Sequence, residues 1–129
     1  MRELTDPKAR VAVTWAGALP YFADRESIDI LGKNDPVIAH QPMRLTARGL
    51  ARWVAFHPGH LKWDYDHSIG RLQPDIITDL WLNPEDALPY LRAGYVAWND
   101  KNLGFWLKRG SPHVDWEAAA RLGSIEEVQ

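Results

Sequence analysis

The apolar positions fall in short runs separated by turn formers, and the spacing within each run predicts an element. Arg10-Val-Ala-Val-Thr-Trp-Ala16 is rich in β-formers and predicts a buried first strand, punctuated by Gly17-Ala-Leu-Pro20. Leu19 to Asp24 suits one short helical turn with Pro20 near its start. Ser27-Ile-Asp-Ile-Leu-Gly32 alternates and stops at glycine, a second strand, and Lys33-Asn-Asp-Pro36 is a turn. Ile38-Ala-His40 suits a short helical or extended piece. Leu45 to Ala55 has helix-period apolar positions interrupted by Gly49, and Pro58-Gly59 breaks the chain again.

Leu61 to Leu72 reads as a helix with polar residues on one side, and Pro74 to Trp81 as a strand with Pro74 at its first position. Asn83-Pro84-Glu-Asp predicts a helix start, with Asn as N-cap, Pro at the first helical position and acids in the first turn. That helix runs to about Arg92 and ends at Gly94. Tyr95–Trp98 and Phe105–Lys108 flank the turn Asn99–Asn102 as a hairpin. Asp115 to Leu122 is a terminal helix ending at Gly123, and Ser124 to Gln129 is a loosely ordered tail. Alternation of this kind predicts a small single α/β domain over 1–129, with a mixed sheet of about four or five strands flanked by three or four helices.

Length and composition agree with one soluble domain: 129 residues, 46% hydrophobic and 25% charged. The net charge of −2, with no run of Lys and Arg, makes nucleic acid and anionic membrane poor partners. The absence of cysteine excludes disulfides, thiolate metal sites and a Cys nucleophile. No apolar run approaches the ~20 residues that span a bilayer. Met1 to Pro7 has no apolar core, so no signal peptide is read there. The seven tryptophans suit either large rings in the core and rim or a surface for carbohydrate or a partner.

The richest segment in chemistry is His57-Pro-Gly-His-Leu-Lys-Trp-Asp-Tyr-Asp-His67. His60, Asp64 and His67 stand at i, i+4 and i+7 and would share one face of a continuous helix, a spacing that could suit a divalent metal. It is not the His-Glu-x-x-His pattern, and Gly59 puts His60 at the helix entrance, so no metal or other cofactor is expected. Two readings of the segment stay open. In one it is a hydrogen-bonded lock that fixes loops. In the other it is the polar rim of a sugar or phosphate site, with Lys62 for charge, His60 and Asp64 for hydrogen bonds, and Trp63 or Trp53 as a stacking face. Asp29, inside an apolar strand, together with Asn34 and Asp35 forms a second polar group; a buried carboxylate is costly unless paired. No Gly-x-Ser-x-Gly elbow and no Gly-rich phosphate loop is present.

Four motifs occur in order: Trp15-Ala-Gly-Ala-Leu-Pro-Tyr21; Ile28-Asp-Ile-Leu-Gly-Lys-Asn-Asp35 with Ile38-Ala39; Pro58-Gly-His-Leu-Lys-Trp-Asp64; and Gln73-Pro-Asp-Ile-Ile77. Tyr90-Leu-Arg92 and Arg109-Gly-Ser-Pro-His-Val-Asp-Trp116 follow. Over about residues 10–116 the set resembles the soluble C-terminal domain of bacterial polyprenyl-phosphate-dependent membrane glycosyltransferases of the GT-C type, arabinofuranosyl- and mannosyltransferase-like. Lys33 departs from the pattern, which has an apolar residue after Leu-Gly. The resemblance implies a periplasmic domain at the outer face of the inner membrane. It implies no sugar transfer by this chain alone, because the catalytic carboxylate of such enzymes lies among their membrane helices. The partners it implies are the transmembrane part of the parent enzyme and a glycan acceptor or polyprenyl-phosphate sugar. The residues expected to form a shared polar site are Tyr21, Asp29, Asp35, His60, Lys62 and Asp64, with no catalytic residue assigned. Two alternatives come from the residues alone: a small hydrolase using His60, Asp64 and Asp29, and an interaction module built on exposed tryptophans.

Overall fold

The computed structural model describes residues 1–15, 17–44 and 60–129. The helix expected over Leu45–Ala55, with Trp53 and His57, lies outside them. Six strands form one mixed sheet in the order β2-β1-β3-β5-β4-β6. They are β1 (Arg10–Val13), β2 (Glu26–Asp29), β3 (Ile76–Ile77), β4 (Tyr95–Asn99), β5 (Gly104–Lys108) and β6 (Ser124–Glu127). β1 pairs parallel with β2 and β3; the β3–β5, β5–β4 and β4–β6 pairs are antiparallel. The helices are α1 (Ala18–Ala23), α2 (Pro36–Ala39), the π-helical α3 (Asp66–Arg71), α4 (Leu88–Gly94) with a 3₁₀ turn at Pro84–Ala87 before it, and α5 (Trp116–Leu122).

Both faces of the central strands β1 and β3 are covered, which is why these two read as continuous apolar runs rather than alternating ones. Side chains still alternate in direction along each strand. Val11, Val13 and Ile76 enter one core with Trp98, Leu107 and Ala119. Ala12 and Ile77 enter the other with Ile28, Trp63, Ile69, Leu91 and Tyr95. In the first, the Trp98 and Phe105 rings stack at 5.6 Å across β4 and β5, and Trp98 Nε1 donates to the Ala119 carbonyl (2.9 Å).

Three local expectations are corrected. The expected helix over 61–72 shortens to α3, because Leu61, Trp63 and Tyr65 are buried at a period of two, the extended-chain period, and not at 3.6. Asn83 is not a side-chain N-cap: it is left-handed (φ 54°, ψ 56°) and makes no capping bond. Asn tolerates that region, so it turns the chain and Pro84 starts the 3₁₀ turn. The segment after Gly123 forms β6 on β4, raising the strand count to six. Every β6 residue is exposed, so no buried apolar alternation marks it in the sequence, and Arg109 and Glu127 fork across its far end.

Candidate functional site

β1 lies between its two parallel neighbours. The chain leaves β1 for β2 on one side and returns to β3 on the other, so the carboxyl ends of all three face one edge at a topological switch point. Such edges are where open α/β sheets hold ligands. Thr14 and Trp15 follow β1; Thr78 to Trp81 follow β3. Asp79 ties the two strand ends together: its Oδ1 accepts from Thr14 N (3.1 Å) and Thr78 Oγ1 (3.2 Å), and its Oδ2 from Thr14 Oγ1 (2.5 Å).

Over this clamp three rings meet. Trp15, 56% exposed, stands edge-on to Trp81 at 5.7 Å, and His60 lies 5.5 Å from Trp15 and 5.6 Å from Trp81. Trp81 Nε1 donates to the His60 carbonyl (2.7 Å), which fixes the indole. Lys33 Nζ donates to His60 Nε2 (3.2 Å), so the residue that departs from the family-like pattern brings its charge to this wall. The loop after β2 presents Lys33 because Asp29 shapes it. The Asp29 carboxylate, 4% exposed, accepts from Leu31 N (3.0 Å) and Asn34 N (2.9 Å), and Gly32 takes φ +71° between them. The buried carboxylate is thus satisfied by backbone donors.

The other expected residues are held in a neighbouring network. Asp35 caps α2 through Oδ1, which accepts from Val37 N (2.8 Å) and Ile38 N (3.1 Å), while His67 Nε2 donates to its Oδ2 (3.1 Å). Asp64 accepts from His67 N (3.0 Å) and Gln41 Nε2 (2.5 Å), and Lys62 Nζ donates to the Ala39 carbonyl (2.5 Å). Burial pushes the Asp64 carboxyl up, but the Gln41 amide and the His67 N–H outweigh it and leave the carboxyl below its ordinary value. Lys62, Asp64 and His67 therefore tie the 60–67 segment to the 35–41 segment, the arrangement of a lock, while His60 turns to the rings. Tyr21 stands on α1, 80% exposed, with its ring edge-on to Phe22 at 5.3 Å.

The helix-face spacing of His60, Asp64 and His67 is not realised, because residues 61–64 are not helical. Among the described residues no group of three His, Asp or Glu is placed to hold a metal ion. No helix among them is long and apolar enough to cross a membrane. Thr14, Asp79 and Trp81 were not singled out by sequence reasoning. Their signal is position: Thr14-Trp15 and Thr78-Asp-Leu-Trp81 close the two apolar runs that become neighbouring parallel strands.

The chain matches the family model described as "Domain of unknown function (DUF8728)" over residues 1–124, and it belongs to that family. No curated protein and no solved structure matches it.

Proposed function

We propose that this chain is a non-catalytic accessory domain of a membrane glycosyltransferase, at the extracytoplasmic face of the bacterial inner membrane, and that it holds a glycan at the carboxyl edge of β1, β2 and β3. The observation that carries the reading is the wall of Trp15, His60 and Trp81 beside the Lys33 ammonium. Sugar rings present apolar C–H faces and a rim of hydroxyls. An exposed indole supplies a flat apolar surface for the first, and Lys33 and His60 supply hydrogen-bonding groups for the second. The ordered motif set adds the membrane glycosyltransferase context, with the transmembrane catalytic part and a glycan acceptor or polyprenyl-phosphate sugar as partners. Asp29, Asp35, Lys62 and Asp64 contribute by shaping the two loops that present Lys33 and His60.

The alternatives draw less support. The Asp29 and Asp64 carboxylates spend their oxygens on backbone and amide donors, which leaves little for acid–base chemistry with His60. Among the described residues Trp15 is the exposed tryptophan, whereas an interaction module of the kind considered needs two or more in one patch.

Titration of the chain with cell-envelope oligosaccharides, followed by tryptophan fluorescence, tests the proposal. The expected result is saturable quenching with a Kd of roughly millimolar strength, about −4 kcal/mol, that is lost in Trp15→Ala. Quenching that survives Trp15→Ala unchanged, or no response to any glycan, contradicts it.

A further inference from the structure

A second feature shares Trp81 with that wall but opens on its other side. Between the β3–β5–β4 face of the sheet and the 80–88 connection lies a cavity of about 630 Å³. This is within the range of about 300–1,000 Å³ usual for small-molecule sites. Trp81 and Trp106 give it aromatic surface and Leu80 and Leu88 aliphatic surface; Asp79, whose carboxylate is held by Thr14 and Thr78, and Glu85 also line it.

Among the described residues, the charged side chains that line the cavity are acidic. Asp79 and Glu85 line it, and Asp86 follows Glu85 in the 3₁₀ turn. No Lys, Arg or His among the described residues forms an ion pair with any of these three. Tyr65, whose hydroxyl accepts from Trp81 N (2.9 Å) and donates to the Leu82 carbonyl (3.2 Å), senses all of them. Burial pushes its phenol up to about 12, and the charges of Asp86, Asp79 and Glu85 add in the same direction. Two carboxylate residues in the lining, with Asp86 next in the chain, beside indoles and aliphatic walls complement one kind of occupant. A neutral apolar ligand gains nothing from these charges, and an anion is repelled. A cation on an apolar body meets the charges with its head, the indole faces by cation–π attraction, and the aliphatic walls with its hydrocarbon.

We propose that this cavity binds a small organic cation, an amine carried on an apolar hydrocarbon body. The site is separate from the glycan wall in function. Trp15→Ala removes the glycan platform and Glu85→Gln leaves it in place, so the two proposals fail separately.

The test uses isothermal titration calorimetry on the full chain with two probes of nearly equal shape, cyclohexylmethylamine and cyclohexylmethanol, at neutral pH. The amine is charged there and the alcohol is not. The expected result is that the amine binds roughly tenfold more tightly than the alcohol, the scale of one desolvated cation–π contact. In Glu85→Gln, an exposed change that spares the core, that preference falls to roughly threefold. Unfolding monitored alongside confirms that Glu85→Gln is as stable as the parent chain. Equal affinity for the two probes overturns the proposal. So does a preference undiminished in Glu85→Gln, and so does the absence of binding by either probe up to about 20 mM, beyond the weak millimolar range.

Discussion

Replacing Gly32 by alanine tests whether the loop that presents Lys33 is built as described. Gly32 has φ +71°, a region that costs an L-residue about 1–2 kcal/mol. A Cβ there would also lie 2.4 Å from Ile38 Cγ2 and 2.5 Å from Ile38 Cβ. Ile38 is fully buried in α2, so its side chain has nowhere to move, and forced overpacking costs about 1–3 kcal/mol more. The expected loss is therefore about 2–5 kcal/mol, a large part of the stability of a domain this size. Gly110 is the internal control. Its φ is +62°, but its Cβ would meet nothing within 4 Å, so Gly110→Ala carries only the backbone cost of about 1–2 kcal/mol. Guanidinium chloride unfolding followed by tryptophan fluorescence reads both variants, with unchanged m-values required for the comparison. The difference between them isolates the clash with Ile38. If Gly32→Ala loses no more stability than Gly110→Ala, the packing of the 32–38 turn is wrong, and with it the placement of Lys33 beside His60.

Three other outcomes follow from the same geometry. Asp29→Ala leaves the Leu31 and Asn34 N–H groups without their carboxylate at a buried position, and the same unfolding assay should show a loss of about 1–3 kcal/mol; a neutral result would mean that the turn does not depend on Asp29. Asp64 has a folded pKa below its ordinary value of 3.8, so its stabilising contribution is fully present above that value and is lost as pH falls through the lower, folded one. Asp64→Asn should thus differ from the parent more at about pH 5 than at about pH 2.5, and a gap that is constant or widens in acid would refute the assignment. Gly123→Ala places a Cβ 2.5 Å from the Asn99 carbonyl oxygen and 2.7 Å from the Trp98 ring. Hydrogen exchange should then quicken at β6 amides while β1 amides keep their protection, and equal behaviour of the two strands would show that β6 is not seated there.

The central strands were legible because Val11 to Val13 and Ile76–Ile77 are apolar on both faces, and the 95–108 hairpin because its turn residues separate two such runs. β6 was not, since Ser-Ile-Glu-Glu buries no residue and gains its place from β4. The 61–65 segment was misread because one polar residue between successive large apolar side chains (Leu61, Trp63, Tyr65) matches a helix face loosely and an extended chain closely. Burial decides between them, and burial is a property of the whole fold. At the site, Asp29 stood out as a carboxylate inside an apolar strand and Asp35 as part of the polar group beside it, and the structure gives each its backbone donors. The Asp79 clamp and the Trp15–Trp81 contact join residues 65 and 66 positions apart, which only the parallel β1–β3 pairing brings together.

The most direct measurement of the central claim is a nitrogen–proton spectrum of the indole Nε1–H groups recorded while a cell-envelope oligosaccharide is added. If the carboxyl edge holds the glycan, the Trp15 and Trp81 signals shift and saturate together, while that of Trp98, buried in the other core, stays in place. Shifts confined to the other tryptophans, or a spectrum unchanged at saturating glycan, would contradict the account.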